Sequence, residues 1–352
     1  MASGSAQERL EGDACAEVVA PQELAALLAS DGPKRAYIGF EPSGLAHIGW
    51  AITVDKVRQL QACGFDVTIL LADWHAYIND KLGGDLQRIR RCGVYMEQCF
   101  LGLGVDPART KFVYASQYIG DAQYWELVIK VGKSASLTRI RRALTIMGRN
   151  EDEADLDSSK VLYPLMQVAD IFFLDVQVAL GGMDQRKAHM LMRDVAPKLH
   201  RTPAVAIHTP LLSSLKSGAG RMDPLEAKMS KSDPSSALFL HDSPKAIADK
   251  LAKAYCPAKE ATGNPLLQLA QFILFSQPAY TLQVHRPARF GGDVAFDSYA
   301  ALESAFIAGT LHPSDLKSAV AAGVAEHLGP VRDHLANHGA LLEEVASFGV
   351  TR

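Results

Sequence analysis

The 352-residue sequence lacks the features that define several classes of protein. No apolar run approaches the roughly 20 residues that a bilayer span needs, and the strongest, Phe65 to Ala72, has the length of a strand. The first residues are rich in acids and contain no apolar segment, so we expect no secretory signal. The 5 cysteines are widely spaced and form no C-x-x-C pair, which favours reduced thiols in the cytoplasm over a disulfide framework or a zinc knuckle.

An excess of charge of one sign is also missing. The chain has 36 Lys and Arg against 39 Asp and Glu, a net charge of -3, which argues against a polybasic nucleic-acid or membrane-surface protein. Hydrophobic residues make up 48% and charged residues 21%, as in folded globular proteins. The charges are unevenly placed, because Lys130 to Arg149 contains only basic charges and Glu151 to Asp157 is mostly acidic.

From residue 35 onward, short β-type runs alternate with helical stretches. The sequence predicts helices over 48–62 and 85–102 and from Gln185. Strands are predicted at Ala36–Phe40, Val67–Leu71, Lys111–Ala115, Val176–Leu180 and Val205–His208. This order is typical of an α/β protein with a doubly wound parallel sheet.

The same pattern divides the chain into three parts. We expect an extension over 1–30, an α/β domain over 31–240 and a mostly helical C-terminal domain over 241–352. Within the α/β domain, a helical insertion covers about 120–160, and a Ser- and Gly-rich loop covers about 213–236.

The first candidate site lies between Tyr37 and Trp50, where a predicted strand is followed by a predicted helix. Its glycines let a ligand approach the backbone, and His47-Ile48-Gly49 opens the helix. A helix N-terminus suits phosphate, and a histidine there can donate to phosphoryl oxygens in a transition state. Taken alone, a structural histidine is the more common interpretation of such a motif.

The second candidate site is Lys228-Met229-Ser230-Lys231-Ser232, within the Ser- and Gly-rich loop. Two lysines and two hydroxyls within five residues could close on a pyrophosphate leaving group. In isolation the same residues would be read as a solvated run of charge.

The third candidate site is a polar row on one helix face. Tyr163, Gln167 and Asp170 are spaced at i, i+4 and i+7. Buried polar groups need partners, and a small polar ligand would supply them. A glycine turn at Gly181-Gly182 follows and leads into another helix.

Together these motifs resemble the class I aminoacyl-tRNA synthetases, whose HIGH and KMSKS motifs flank ATP in a Rossmann-type domain. KMSKS occurs letter for letter at 228–232, and HIGH is present as His47-Ile48-Gly49-Trp50, with Trp50 in place of the usual second histidine. With the polar row, the chain is most similar to the tyrosyl-tRNA synthetases of the archaeal and eukaryotic cytoplasmic type. The resemblance implies a Rossmann-type catalytic domain followed by a helical anticodon-binding domain.

The resemblance also implies roles for individual residues. Tyr37 and Asp170 would bind the phenol hydroxyl of tyrosine, and its amino group would be held by Tyr163, Gln167 and Gln185. The pocket wall would comprise Leu70, Ala72, His75, Tyr118 and Leu174, although His75 could equally be structural. ATP would contact Gly39, Gly49, Gly182, Asp184, Lys228, Met229, Ser230, Lys231 and Ser232. His47, Lys228 and Lys231 would stabilise the transition state, with Mg²⁺ on the phosphates and no metal site made by the protein.

The partners implied by the resemblance are tRNA(Tyr), L-tyrosine, ATP and a second copy of the chain. Phe290, His312 and Asp315 would contact the anticodon, and Arg186 the first base pair of the acceptor stem. The basic segment Lys130 to Arg149 could add phosphate contacts or simply be a solvated face. The insertion over 120–160 would form the interface of a homodimer, and no membrane contact is expected.

Three other interpretations remain open at this point. A tryptophanyl-tRNA synthetase shares the fold and both ATP motifs, although Asp170, Gln167 and Tyr37 favour a phenol. A nucleotidyltransferase that activates another small acid would share the His-x-Gly site but would not be expected to carry the C-terminal helices. A non-catalytic RNA-binding paralogue would leave the buried polar row without partners.

Overall fold

The computed structural model of the chain describes residues 5–12, 14–148, 157–216, 229 and 234–349. Its main sheet contains strands β1 (Glu17–Val19), β2 (Arg35–Phe40), β3 (Asp66–Leu71), β4 (Thr110–Tyr114), β5 (Val178–Gly182) and β6 (Val205–Thr209). The spatial order is β1-β6-β5-β2-β3-β4, and all neighbours are parallel except β1, which runs antiparallel to β6. The predicted doubly wound α/β sheet is confirmed.

Helices connect these strands and cover the sheet. In the α/β part they are α1 (Ala6–Glu11), α2 (Pro21–Ala29), α3 (Gly49–Ala62), α4 (Asp73–Ile78), α5 (Leu86–Gly102), α6 (Ala122–Ser134), α7 (Leu137–Ala143), α8 (Leu162–Phe173) and α9 (Arg186–Val195). The strand order reverses between β2 and β5, and such a switch point opens a crevice at the carboxyl ends of the strands. His47, which follows β2, and the turn after β5 therefore lie at this edge of the sheet.

The structure places part of the expected N-terminal extension in the sheet. Glu17 pairs with His208 and Val19 with Ala206, so this short strand covers the edge of β6. A three-residue strand carries too little periodicity to be recognised in the sequence, because its pairing is set by a partner that lies far along the chain.

The C-terminal part is mostly helical, as expected. Its helices are α10 (Pro244–Ala252), α11 (Pro265–Leu269), α12 (Tyr299–Ala308), α13 (Pro313–His327), α14 (Gly329–Ala336) and α15 (Gly339–Ser347), and α11 continues into a π-helical turn, Ala270–Leu274. A hairpin of β7 (Leu282–Val284) and β8 (Val294–Phe296) interrupts them. Gln277 Nε2 donates to Asp55 Oδ2 on α3 at 2.8 Å, which ties this part to the helix that follows His47.

The insertion over 120–160 is helical where it is described, in α6 and α7. Lys130 pairs with Glu126 on α6, and Arg139 on α7 pairs with Asp194 on α9. Most of the acidic run after Arg149 lies outside the described residues. None of the helices that the structure describes combines the length and apolarity that a membrane span requires.

Candidate active site

Tyr37 stands on β2 at the switch point and is almost completely buried. Burial, together with the nearby charge of Asp170, raises the pKa of its phenol well above 10, so the hydroxyl stays protonated. Gly39 lies two residues along the same strand face, and a Cβ there would come 2.6 Å from the Tyr37 hydroxyl oxygen. Gly39 therefore makes room for Tyr37, a role distinct from the ATP contact that the sequence predicts.

Asp170 on α8 is fully buried close to Tyr37. Its Oδ1 accepts hydrogen bonds from the hydroxyls of Tyr118 at 2.8 Å and Tyr124 at 2.9 Å. Its Oδ2 has no hydrogen-bond partner among the described residues. Because a buried carboxylate oxygen without a donor is costly, Oδ2 is suited to accept from the hydroxyl of a ligand.

His75 lies beside that oxygen. Its Nε2 is 3.2 Å from Asp170 Oδ2, within ion-pair distance but without the geometry of a hydrogen bond. Neither ring nitrogen has a hydrogen-bond partner within the described part of the chain. The ring stands edge-on to Tyr163, with the centroids 5.0 Å apart. Predicted wall residues share the surrounding apolar cluster, which contains Tyr37, Leu70, Ala72, Tyr118 and Tyr163, with Leu174 packed against it.

A second polar group of the site is formed by the amides of Gln167 and Gln185. Gln167 Nε2 donates to Gln185 Oε1 at 3.1 Å, and Gln185 Nε2 donates to the carbonyl of Ile146 at 3.2 Å. These bonds orient both amides, and Gln167 Oε1 remains buried without a partner among the described residues. An amide oxygen in this position can accept from an ammonium group.

Glu41 is a further candidate site residue that the sequence does not single out, because Glu41-Pro42-Ser43-Gly44 has the composition of a turn. Burial, together with the Glu41 carboxylate to which the Tyr163 hydroxyl donates, raises the pKa of Tyr163 well above 10. The buried amide of Asn79 donates to both Glu41 oxygens, at 2.9 and 3.2 Å. An acid directly after the carboxyl end of a parallel strand was the signal that could have identified it.

His47 and Gly49 lie where the chain passes from β2 into α3. The backbone N–H of Gly49 donates to His47 Nδ1 at 3.1 Å, and a Cβ on Gly49 would come 2.7 Å from His47 Cε1. Because Nδ1 accepts, a neutral His47 ring carries its proton on Nε2 and can donate from there. The glycine thus fixes both the position and the tautomer of the histidine.

The segment after the KMSKS loop returns to His47. The backbone N–H of Ile48 donates to the carbonyl of Leu238 at 2.8 Å, and that of Leu240 donates to Ala46 at 3.0 Å. Met229 is buried, and its N–H donates to Leu212. Lys228, Ser230, Lys231 and Ser232 lie outside the described residues. The chain segments that flank the two ATP motifs are therefore adjacent in the fold.

Trp50, the departure from the usual HIGH motif, belongs to the core. Its ring stacks on Phe100 with the centroids 5.3 Å apart and an angle of 11° between the planes, and it also contacts Phe40. The side chain is 5% exposed. The position therefore serves packing between α3 and α5, which an indole fills well.

The predicted nucleotide and RNA residues of β5 and α9 lie together. Gly182 ends β5, and Asp184 follows in the 3₁₀ turn Met183–Gln185 that leads into α9. Arg186 begins α9 and forms two hydrogen bonds to Glu17, at 2.6 and 2.8 Å.

The predicted anticodon residues lie on two segments that Arg286 joins. Phe290 is 60% exposed, and the guanidinium of Arg289 lies over its ring. His312 caps α13, where Asp315 is in the first turn. Arg286 joins the two segments, because it donates to the carbonyls of Gly292 at 2.6 Å and Thr310 at 2.9 Å. An exposed ring beside a capped helix terminus can stack on an unpaired base.

Comparisons with known proteins agree with this geometry. The protein-family model described as "tRNA synthetases class I (W and Y)" matches residues 29–329. The tyrosine–tRNA ligase of Aeropyrum pernix is 52% identical over 90% of this chain and 89% of its own length, and that of Sulfolobus acidocaldarius is 48% identical over 94% of each. The crystal structure of the A. pernix tyrosyl-tRNA synthetase superposes with a TM-score of 0.87 at 46% identity, covering 97% of this chain and 98% of that one.

The synthetase of Pyrococcus horikoshii, solved in complex with L-tyrosine, superposes with a TM-score of 0.90 at 39% identity and covers 98% of this chain and 100% of that one. At this identity and coverage, the similarity extends beyond the fold to membership of the same family. The chain belongs to the tyrosine–tRNA ligases, within the class I tRNA synthetases.

Proposed function

We propose that this site binds L-tyrosine with its phenol at Asp170 and Tyr37. Its amino group would be held by Tyr163, Gln167 and Gln185, to which the structure adds Glu41. The observation that carries the assignment is Asp170 Oδ2, a fully buried carboxylate oxygen without a donor at the end of an apolar cluster. A pocket that must pair a hydroxyl rejects phenylalanine by roughly 10⁴- to 10⁵-fold, because the polar groups otherwise stay unpaired. The two buried acceptors, Asp170 Oδ2 and Gln167 Oε1, are of the kind that the hydroxyl and the ammonium of tyrosine would satisfy.

In the proposed first step, the carboxylate of tyrosine attacks the α-phosphorus of ATP in line, and pyrophosphate leaves as tyrosyl-adenylate forms. His47 would donate from Nε2 to a phosphoryl oxygen as charge develops there. Lys228 and Lys231 would stabilise the leaving pyrophosphate, and Mg²⁺ would arrive with ATP on its phosphates. No protein nucleophile is needed, so the residues act by positioning and by charge.

In the second step, the ribose 2′-hydroxyl at the end of tRNA(Tyr) attacks the tyrosyl carbonyl, and AMP leaves. Arg186 would contact the acceptor end, while Phe290, His312 and Asp315 would contact anticodon bases. Arg286, which joins the segments that carry the last three through Gly292 and Thr310, supports this assignment.

The assembly and compartment are also proposals. We propose a homodimer through α6 and α7, supported by Ile129 and Leu137, which are each 63% exposed. Sedimentation of the protein at micromolar concentration should show a dimer, and a monomer would contradict the proposal. A cytoplasmic location is supported by the five cysteines, all of which are free thiols.

Amino-acid-dependent pyrophosphate exchange tests the substrate assignment directly. We expect exchange with tyrosine, which provides the carboxylate that attacks ATP, and negligible exchange with tryptophan or phenylalanine. Tyrosyl transfer to a tRNA(Tyr) transcript should follow. Exchange with tryptophan in preference to tyrosine would indicate the sister specificity, and no exchange with any of the three would indicate a non-catalytic paralogue.

A further inference from the structure

We propose that Glu17 is a positioning residue that holds Arg186 in place for the acceptor end of tRNA. The inference rests on the proposed function of Arg186. It adds a residue from the short strand β1, which the sequence alone assigns to an extension outside the catalytic domain.

The contact between the two side chains is bidentate. Arg186 Nε and Nη2 donate to the two oxygens of Glu17 at 2.6 and 2.8 Å. Planar pairing of this kind fixes the orientation of the guanidinium as well as its position. It occupies two of the five N–H groups of the arginine, so three can serve a ligand.

Two buried histidines stand behind Glu17. His208 Nδ1 lies 3.0 Å from Glu17 Oε2, and His208 Nε2 lies 3.0 Å from His189 Nδ1. Burial lowers the pKa of both histidines, that of His189 to about 3, so both rings are neutral near pH 7.

The direction of these hydrogen bonds follows from the charge of Glu17. Its pKa is lowered chiefly by the hydrogen bond from Arg186, so the carboxylate is ionised and can only accept. His208 therefore donates from Nδ1 and accepts at Nε2, and His189 donates from Nδ1. The hydrogen bonds thus run from His189 to His208 to Glu17, and they fix the carboxylate on the side away from Arg186.

These hydrogen bonds also extend to the turn that carries the predicted nucleotide residues. A Cβ on Gly181 would lie 3.1 Å from His189 Cε1, so His189 packs directly beneath the turn that leads to Gly182 and Asp184. Glu17 is thereby held relative to the same turn from which Arg186 emerges.

A second ion pair in the same region has the opposite character. Arg193, two turns further along α9, forms a bidentate pair with Glu23 on α2. There the arginine is the buried partner, 16% exposed against 48% for Glu23, and it also donates to the carbonyl of Ala204. In the first pair the glutamate is the less exposed partner, at 29%, and Arg186 is 43% exposed. The Arg193 pair ties α9 to the N-terminal segment, whereas the Arg186 pair presents a guanidinium outward.

The two pairs provide a matched experiment in the full-length protein. Glu17→Gln keeps the shape of the side chain and removes one acceptor and the charge. We expect kcat/KM for tRNA(Tyr) in aminoacylation to fall by about three- to tenfold, the cost of ordering one long side chain on binding. The loss should lie in KM for tRNA, and pyrophosphate exchange with tyrosine should stay within about twofold of wild type.

Glu23→Gln is the control, since it weakens an ion pair between the same helix and the same N-terminal segment. It should leave both reactions within about twofold of wild type. Arg186→Ala should lose at least as much tRNA kcat/KM as Glu17→Gln, and adding Glu17→Gln to it should cause no further loss, because the two residues act as one unit.

Four outcomes would overturn the proposal. Equal losses in Glu17→Gln and Glu23→Gln would show a structural role only. Tighter tRNA binding by Glu17→Gln would show that Glu17 competes with RNA for Arg186. Additive losses in the double variant would show that Glu17 acts independently of the arginine. If Arg186→Ala charges tRNA normally while exchange persists, the role of Arg186 fails and the tyrosine-activating function stands.

Discussion

Replacing Asp170 with asparagine is expected to lower kcat/KM for tyrosine in pyrophosphate exchange by about 100-fold, the range for loss of a hydrogen bond to a buried charged group. Oδ1 accepts from the hydroxyls of Tyr118 and Tyr124, so the amide oxygen of asparagine must take that place. The amide nitrogen then stands where Oδ2 was and presents N–H groups to the substrate phenol, which needs an acceptor. Exchange kinetics with tyrosine and phenylalanine measure both the loss in kcat/KM for tyrosine and the reduced ratio of kcat/KM for tyrosine to that for phenylalanine.

Tyr124→Phe is the matched control for this variant. It removes one hydroxyl from Oδ1, at 2.9 Å, and leaves Oδ2 unchanged. Its loss should be much smaller, about tenfold or less, with the preference for tyrosine over phenylalanine retained. Thermal unfolding of both variants separates stability from binding. An asparagine variant that keeps the full preference would contradict the assignment of the phenol to Asp170.

Replacing His47 with asparagine is expected to lower kcat of pyrophosphate exchange by about 10²- to 10³-fold, the usual cost of removing one transition-state donor. Asparagine can still accept from the N–H of Gly49, as His47 Nδ1 does at 3.1 Å, but it has no donor at the position of Nε2. The affinity for tyrosine should stay within about twofold, because His47 is not among the residues proposed to hold tyrosine. Equilibrium tyrosine binding and the exchange rate, measured on the same preparation, separate the two effects.

His47→Gln distinguishes a donor from a structural contact. The longer amide places its nitrogen close to the position of Nε2, so it should recover at least tenfold over asparagine, a difference of about 1.4 kcal/mol in the barrier. If the asparagine and glutamine variants lose the same amount of activity, His47 supports the loop and does not donate to phosphate.

The sequence predicted those parts of the site that depend on local spacing. Tyr163, Gln167 and Asp170 share a helix face because of helical periodicity, and the ends of parallel strands meet at one edge of the sheet. The sequence also indicated the glycines near Tyr37 and His47, although Gly39 makes room for the ring of Tyr37.

The parts that escaped prediction depend on contacts between distant segments. Glu17 meets Arg186 across 169 positions and Tyr124 meets Asp170 across 46, and no local pattern encodes either contact. Glu41 lies in a segment with the composition of a turn, and its carboxylate is oriented by Asn79, 38 residues later. The core position of Trp50 likewise follows from Phe100, on a helix that the sequence predicts but cannot orient.

The burial of Trp50 gives the protein an internal optical reporter. The chain has 3 tryptophans, and the other two are neighbours of proposed tyrosine-site residues, since Trp74 precedes His75 and Trp125 packs against Tyr124, with the ring centroids 5.9 Å apart. Intrinsic tryptophan fluorescence therefore arises entirely from indoles beside the residues that would hold ATP and tyrosine. Ligand titrations can be followed on the unlabelled protein, and replacing Trp74 and Trp125 with phenylalanine would leave Trp50, next to Gly49, as the single reporter.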